Sequence, residues 1–236
     1  MIDLITRLKK IINYFTKLEI ALWSSSTFFI LLSFLIFDRE NYLTLFASVI
    51  GVTSLILNAK GNPLGQFLMV LFGLLYGIIS LSFAYYGEMI TYLGMTMPMA
   101  IVALISWLKN PYMGNKAEVE VNSISKKESV FMWILTVFVT VAFYFILKHF
   151  HTANLLPSTL SVTTSFLAVY LTFRRSPYFA LAYATNDVVL IILWILASLS
   201  DTKYVSVVVC FLAFLINDLY GFFNWRKMEI RQRKTP

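Results

Sequence analysis

Two pairs of an amide beside an acid lie inside long apolar stretches of this chain. Asn186–Asp187 sits in "LAYATNDVVLIILW", and Asn217–Asp218 sits in "CFLAFLINDLYGFFNW". A carboxyl group buried among apolar residues needs a partner or water, so these pairs imply a polar cavity. The competing role is a structural one, in which each Asn or Asp ties helices together by hydrogen bonds. Helical spacing places Tyr183, Asn186 and Asp187 on one face, with Trp194 two turns beyond Asp187. On the last apolar stretch Asn217, Tyr220, Gly221 and Asn224 form one stripe. Amides beside aromatic rings suit a flat heterocycle that also carries hydroxyls or an amide, since the ring stacks and the amides take its polar edge. For a cationic ligand, the aromatic faces and a nearby carboxylate would both contribute. Asp218 lies nearer the end of its stretch and has a basic residue as its alternative partner. The first half of the chain offers Gln66, one turn after Pro63, and the deeper Tyr76, with Thr96 and Pro98 in mid-stretch. Pro98 is expected to kink or loosen its helix. With 13 Tyr and 21 Phe in the chain, most aromatic residues must serve packing or an interfacial belt.

Other chemistries are poorly supplied. The single Cys210 sits in an apolar run and excludes both an intrachain disulfide and a cysteine-built metal site. His149 and His151 lack a third ligand, so no metal is expected. Glu88 reads as a solvated outer turn. No grouping of Ser, His and Asp suggests hydrolysis, no phosphate-binding loop supports nucleotide-driven transport, and neither an enzyme nor a cofactor is expected.

The elements that must position these residues are long apolar helices. About eight segments have bilayer-spanning length: 19–37, 42–59, 64–86, 89–108, 129–148, 157–173, 178–200 and 204–225. A hydrophobic content of 59% and a mean hydropathy of +0.76 exclude a soluble fold. The loops alternate in charge. With the N-terminus placed inside, 16 of the 19 Lys and Arg fall on one side, Arg7, Lys9, Lys10, Lys60, Lys109 and Arg174 among them, and only Arg39, Lys148 and Lys203 on the other. That split follows the positive-inside rule and places both termini in the cytoplasm. The net charge of +7 thus reports orientation and contact with anionic lipid rather than nucleic acid. The first span is too long for a signal-peptide core and lacks a cleavage motif after it, so it is read as retained.

The chain repeats itself. "NAKGNP" closes the second segment and "TFRRSP" closes the sixth, with Pro63 and Pro177 opening the next helices. The third spans of the two sets end in "SWLKN" and "NWRKM". The offset is 114 at the prolines and 118 at Trp107 and Trp225. The expected organisation is an all-α integral membrane protein: an N-terminal segment and extra helix (1–40), a three-helix repeat (41–110), a polar loop and linker helix (111–150), and a second repeat with a cytoplasmic tail (151–236). One linker helix between two sets of three makes the repeats parallel, a known transporter plan.

The "LFG" of the third span, "TFRRSPY…ATNDV" and "FLINDLYGFFNWRK", together with the 3+1+3 order, resemble the PnuC family of bacterial nicotinamide riboside transporters. The likeness runs from about Leu43 to Lys227. That family is similar in plan to the SWEET sugar transporters. The resemblance implies facilitated diffusion of nicotinamide riboside, trapping of the product by cytoplasmic phosphorylation, a homotrimer, and substrate contacts at Asn186 and Asn217. Met95 to Met99 offers no asparagine counterpart in the first half. The alternatives are an ion-coupled carrier of another vitamin such as thiamine, with Asp187 or Asp218 as the coupling site, and a membrane enzyme or assembly subunit that moves nothing.

Overall fold

The structure, a computed structural model, describes residues 14–82, 86–152 and 154–234; the cations Arg7, Lys9 and Lys10 lie outside them. Eight helices among the described residues are long and apolar enough to cross a membrane. They are α1 (Lys17–Phe37), α2 (Tyr42–Ala59), α3 (Pro63–Ser82), α4 (Tyr86–Lys109), α5 (Lys126–His149), α6 (Leu155–Phe173), α7 (Phe179–Ser198) and α8 (Val205–Lys234). Helices dominate because a span in lipid must satisfy its own backbone polar groups. Large apolar side chains therefore face outward, as Phe131, Ile134, Phe138 and Phe145 do along α5.

Packing follows the repeat. In each set the middle helix packs on the other two: α3 on α2 and α4, and α7 on α6 and α8. The sets meet reciprocally, with α8 against α2 and α4 against α6. The extra α1 lies on the α2–α8 seam, and the linker α5 lies mainly on α6.

The turns after α2 and α6 are copies of one another. Gly61 N–H bonds Asn58 O (2.9 Å) and Asn62 N–H bonds Leu57 O (3.0 Å). At an offset of 114, Arg175 N–H bonds Thr172 O (3.0 Å) and Ser176 N–H bonds Leu171 O (3.0 Å). Both central residues are left-handed, with φ of 67° at Gly61 and 57° at Arg175. Only the first repeat supplies the glycine that such a helix stop favours. One turn further on, Gly65 lets α3 close on α2, since a Cβ there would lie 2.2 Å from Asn58 Oδ1.

Four local features correct or refine the sequence expectations. The polar loop after α4 contains a β-hairpin, β1 (Pro111–Tyr112) with β2 (Asn115–Val119). Its exit strand and the segment that follows reach both copied turns, through Val119 N–H to Gly61 O (2.9 Å) and Asn122 N–H to Arg175 O (3.0 Å). Pro98 is accommodated without an open break. A π-helical turn at Tyr92–Thr96 precedes it, with Met97 N–H bonded back to Tyr92 O. Such a bulge absorbs the missing donor and the ring clash. Glu88 is buried rather than solvated, because α4 begins at Tyr86 and Gly87 is pressed against Leu147 and Thr152. The last helix also runs past 225 to Lys234, where Gln232 bonds the hairpin at Val121 N (2.8 Å) and Val119 O (3.1 Å).

Candidate functional site: the cavity between the repeats

All six repeat helices contribute to one small internal cavity. Leu55 comes from α2, Met69 and Phe72 from α3, and Tyr92 and Thr96 from α4. Ser165 comes from α6, Tyr183, Asn186, Asp187 and Leu190 from α7, and Phe211, Phe214 and Asp218 from α8. No Lys, Arg or His is among them. The cavity measures about 30 Å³, against ~300 Å³ for the smallest typical ligand pockets. The conformation is therefore closed around the site. Larger recesses lie at the periphery. One of about 290 Å³ sits among Glu19, Lys60 and Glu118 at the N-terminal end of α1, and one of about 380 Å³ is an apolar groove between α1 and α2. Neither lies between the repeats.

Asn186 is fixed from behind by α6. Its Oδ1 accepts hydrogen bonds from Thr164 Oγ1 (2.8 Å), Ser165 Oγ (3.0 Å) and Ser161 Oγ (3.5 Å). Hydroxyl groups of α6 gathered around this one oxygen set the amide's orientation. Beside it, Asp187 and Asp218 come within hydrogen-bonding reach of each other across the α7–α8 contact. Asp218 thus meets a second carboxyl group and not the basic partner offered by the sequence. Asp187 Oδ2 is buried with no partner.

The sequence-predicted residues separate into three groups. Tyr183, Asn186 and Asp187 line the central cavity. Tyr76 and Trp194 line a second, outer cavity of about 20 Å³ together with Asp38, Asp201 and Tyr204. They belong to an aromatic cluster separating the two cavities. Tyr76 lies 4.7 Å from Tyr92, 5.3 Å from Phe72 and 6.4 Å from Trp194 between ring centroids.

Gln66, Asn217, Tyr220 and Asn224 are turned elsewhere. Gln66 Nε2 donates to Asn58 Oδ1 (2.9 Å). Asn217 Nδ2 donates to Ser26 Oγ of α1 (2.9 Å) and to Ala213 O (2.7 Å). Tyr220 Oη donates to Glu19 Oε1 (2.9 Å), and the same carboxylate pairs with Lys60 (3.1 Å). The stripe on α8 is real, but it docks α1 and α2. The cavity receives the neighbouring face, with Phe211, Phe214 and Asp218. Tyr92 and Ser165 also line the cavity without having been singled out. A tyrosine or serine in an apolar span is too common a signal to find alone.

Asn224 belongs to a closure at the end of the bundle that carries the hairpin. Trp225 Nε1 donates to Asn58 O (2.7 Å) and Asn224 Nδ2 to Ala59 O (2.7 Å). At the matching positions of the other repeat, Trp107 Nε1 donates to Thr172 O (2.9 Å) and Ser106 Oγ to Phe173 O (2.9 Å). Each third helix thereby fastens the end of the other repeat's first helix. The two indoles meet at the middle, 5.3 Å apart, and both are fully buried.

Residues 41–227 match the family described as nicotinamide mononucleotide transporter. The chain belongs to this family. A relative from Neisseria mucosa, named nicotinamide riboside transporter PnuC, is 27% identical over 203 residues, covering 83% of this chain and 76% of the relative. One of the same name from Haemophilus influenzae is 23% identical over 193 residues, covering 81% and 82%. A crystal structure of the vitamin B3 transporter PnuC superposes with a TM-score of 0.80 at 22% identity, covering 92% of this chain and 94% of that one. The multi-pass fold and the membership of a transporter family both follow. An extra helix before a 3+1+3 core is the architecture expected from the sequence.

Proposed function

We propose that this chain carries nicotinamide riboside across a bacterial inner membrane through the cavity between its repeats. The observation that supports it best is the cavity's chemistry. One orientated amide, two carboxyl groups and a ring of Phe and Tyr surround a space without a basic residue. Nicotinamide riboside brings a flat cationic ring, a carboxamide and ribose hydroxyls. The rings and carboxyl groups suit its charge, and Asn186 suits its polar edge. The family description speaks of the mononucleotide and the two relatives of the riboside. A phosphate would enter a site with acids and no cation to offset its desolvation, so the riboside fits better. Rejection of the phosphate also allows a cytoplasmic kinase to trap the imported riboside, with no energy input at the carrier.

The test is uptake of labelled nicotinamide riboside into proteoliposomes containing the purified protein. Saturable uptake, competed by the riboside and not by the mononucleotide, is expected. Equal competition by the two would overturn the proposed selectivity.

Both termini and the hairpin lie in the cytoplasm on this reading, since the basic loops gather there. Single cysteines at Asn115 and His151 in a Cys210→Ser background test it with an impermeant thiol reagent. From outside intact cells position 151 reacts and position 115 does not; the reverse pattern would invert the topology. The homotrimer carried by the family resemblance is tested by native mass spectrometry, where a mass of one chain would exclude it.

A further inference from the structure

Two acids meet in the wall of this cavity. Asp187 and Asp218 approach within hydrogen-bonding reach, and both are buried, at 3% and 5% exposure. Two ionised carboxylates have acceptors only, so a hydrogen bond between them requires a proton held in the pair. Asp187 lines the cavity, and its Oδ2 is buried without a hydrogen-bond partner.

The groups acting on the pair from the surrounding helices supply no positive charge. Tyr92 of α4, Tyr183 of α7 and Cys210 of α8 lie close enough to interact with Asp187, and Tyr183 also with Asp218. Glu88 lies one turn from Tyr92 and is a further acid. The rings of Phe72, Tyr92, Tyr183, Phe211 and Phe214 complete the surroundings. No cationic side chain lines the closed site, so a proton shared by the pair would be its only positive charge. Aromatic faces around an acidic pair are a setting in which a larger cation can replace it.

We propose that the Asp187–Asp218 pair is the cation-binding element of this cavity, and that it releases a proton to water when a positively charged ring enters. This rests on the nicotinamide riboside reading and adds to it. The pair discriminates by charge, while Asn186 reads the polar edge. The exchange keeps the charge of the buried site constant. That avoids the large cost of adding an unmatched charge to a low-dielectric interior. Protons and the cation compete, so affinity falls as pH falls.

The experiment is calorimetric titration of the purified protein with two forms of one ligand. Nicotinamide riboside is cationic, and its reduced dihydropyridine form has nearly the same shape without the charge. Titrations in buffers of differing ionisation enthalpy count the protons released. The expected result is about one proton per cation bound, none for the reduced form, and cation affinity that rises by up to about tenfold per pH unit. In Asp187→Asn and Asp218→Asn, the preference for the cation over the reduced form falls at least about tenfold and proton release disappears. If either variant fails to fold, the wild-type proton count decides by itself. Binding of the cation without proton release overturns the exchange. If neither form binds, the substrate assignment falls, and thiamine serves as the cationic probe in the same titration. Proton release on thiamine binding supports the pair's role; no release, or no binding, overturns it.

Discussion

The two repeats agree where the protein closes and disagree where it recognises. At the hairpin end Trp107 and Trp225, Ser106 and Asn224, and the turns at Gly61 and Arg175 stand at matching positions and make matching bonds. In the cavity the match fails. Phe72 stands 114 positions before Asn186, Gly73 before Asp187, and Met69 before Tyr183. Closure is built on backbone carbonyls, which every residue carries, so both repeats can retain it as their sequences diverge. Recognition is built on side chains, and one repeat has specialised. The second repeat supplies the amide and the acids, and the first supplies largely apolar walls.

The symmetry of the closure can be broken most severely at its centre. Each tryptophan contributes one indole-to-carbonyl bond, worth on the order of 1–2 kcal/mol in a membrane protein. With Ser165→Cys as a cavity reporter in a Cys210→Ser background, Trp107→Phe and Trp225→Phe should each speed thiol labelling from the hairpin side by roughly tenfold. The double variant should approach the product of the two. An effect from only one tryptophan would mean that the repeats do not share the closure equally.

A smaller effect separates the two copied turns. Gly61→Ala places a Cβ in left-handed backbone and against Met228, with a cost of about 1 kcal/mol and a thermal shift of roughly 2–4 °C downward. Arg175→Ala replaces a residue that already bears a Cβ there, so its melting temperature should change little. Equal losses in thermal unfolding would show that backbone strain does not distinguish the turns.

Much of this architecture was legible before any coordinates. Span lengths, loop charges and the paired landmarks at Pro63 and Pro177 gave the helix order and the parallel repeats. The reciprocal fastening was half visible, because Trp107 and Trp225 marked the matching ends, although their acceptors are backbone atoms that no side-chain pattern reveals. The site itself was less legible. α8 carries polar residues on two faces, one at Asn217, Tyr220 and Asn224 and the other at Asp218. Sequence spacing fixes the angle between these faces but not the rotation of the helix against its neighbours. A helix between protein and lipid that is apolar on most sides gives little sign of its inner face. The extra α1 took the amide stripe, leaving the acid for the cavity. The burial of Glu88 was hidden for a similar reason, since it depends on where α4 begins and on α5 packing against that turn.

The most direct test of the central claim is a comparison of two asparagines by binding. Asn186 faces the cavity, and Asn217 holds Ser26 of α1 outside it. Nicotinamide riboside should be titrated against purified Asn186→Leu and Asn217→Leu, each confirmed to be folded. A lost hydrogen bond that leaves polar ligand groups unpaired costs on the order of 1–3 kcal/mol, so Asn186→Leu should lose roughly tenfold to a hundredfold in affinity. Asn217→Leu should lower thermal stability and keep wild-type affinity. The opposite pattern, with affinity lost at Asn217 and kept at Asn186, would contradict the placement of the substrate between the repeats.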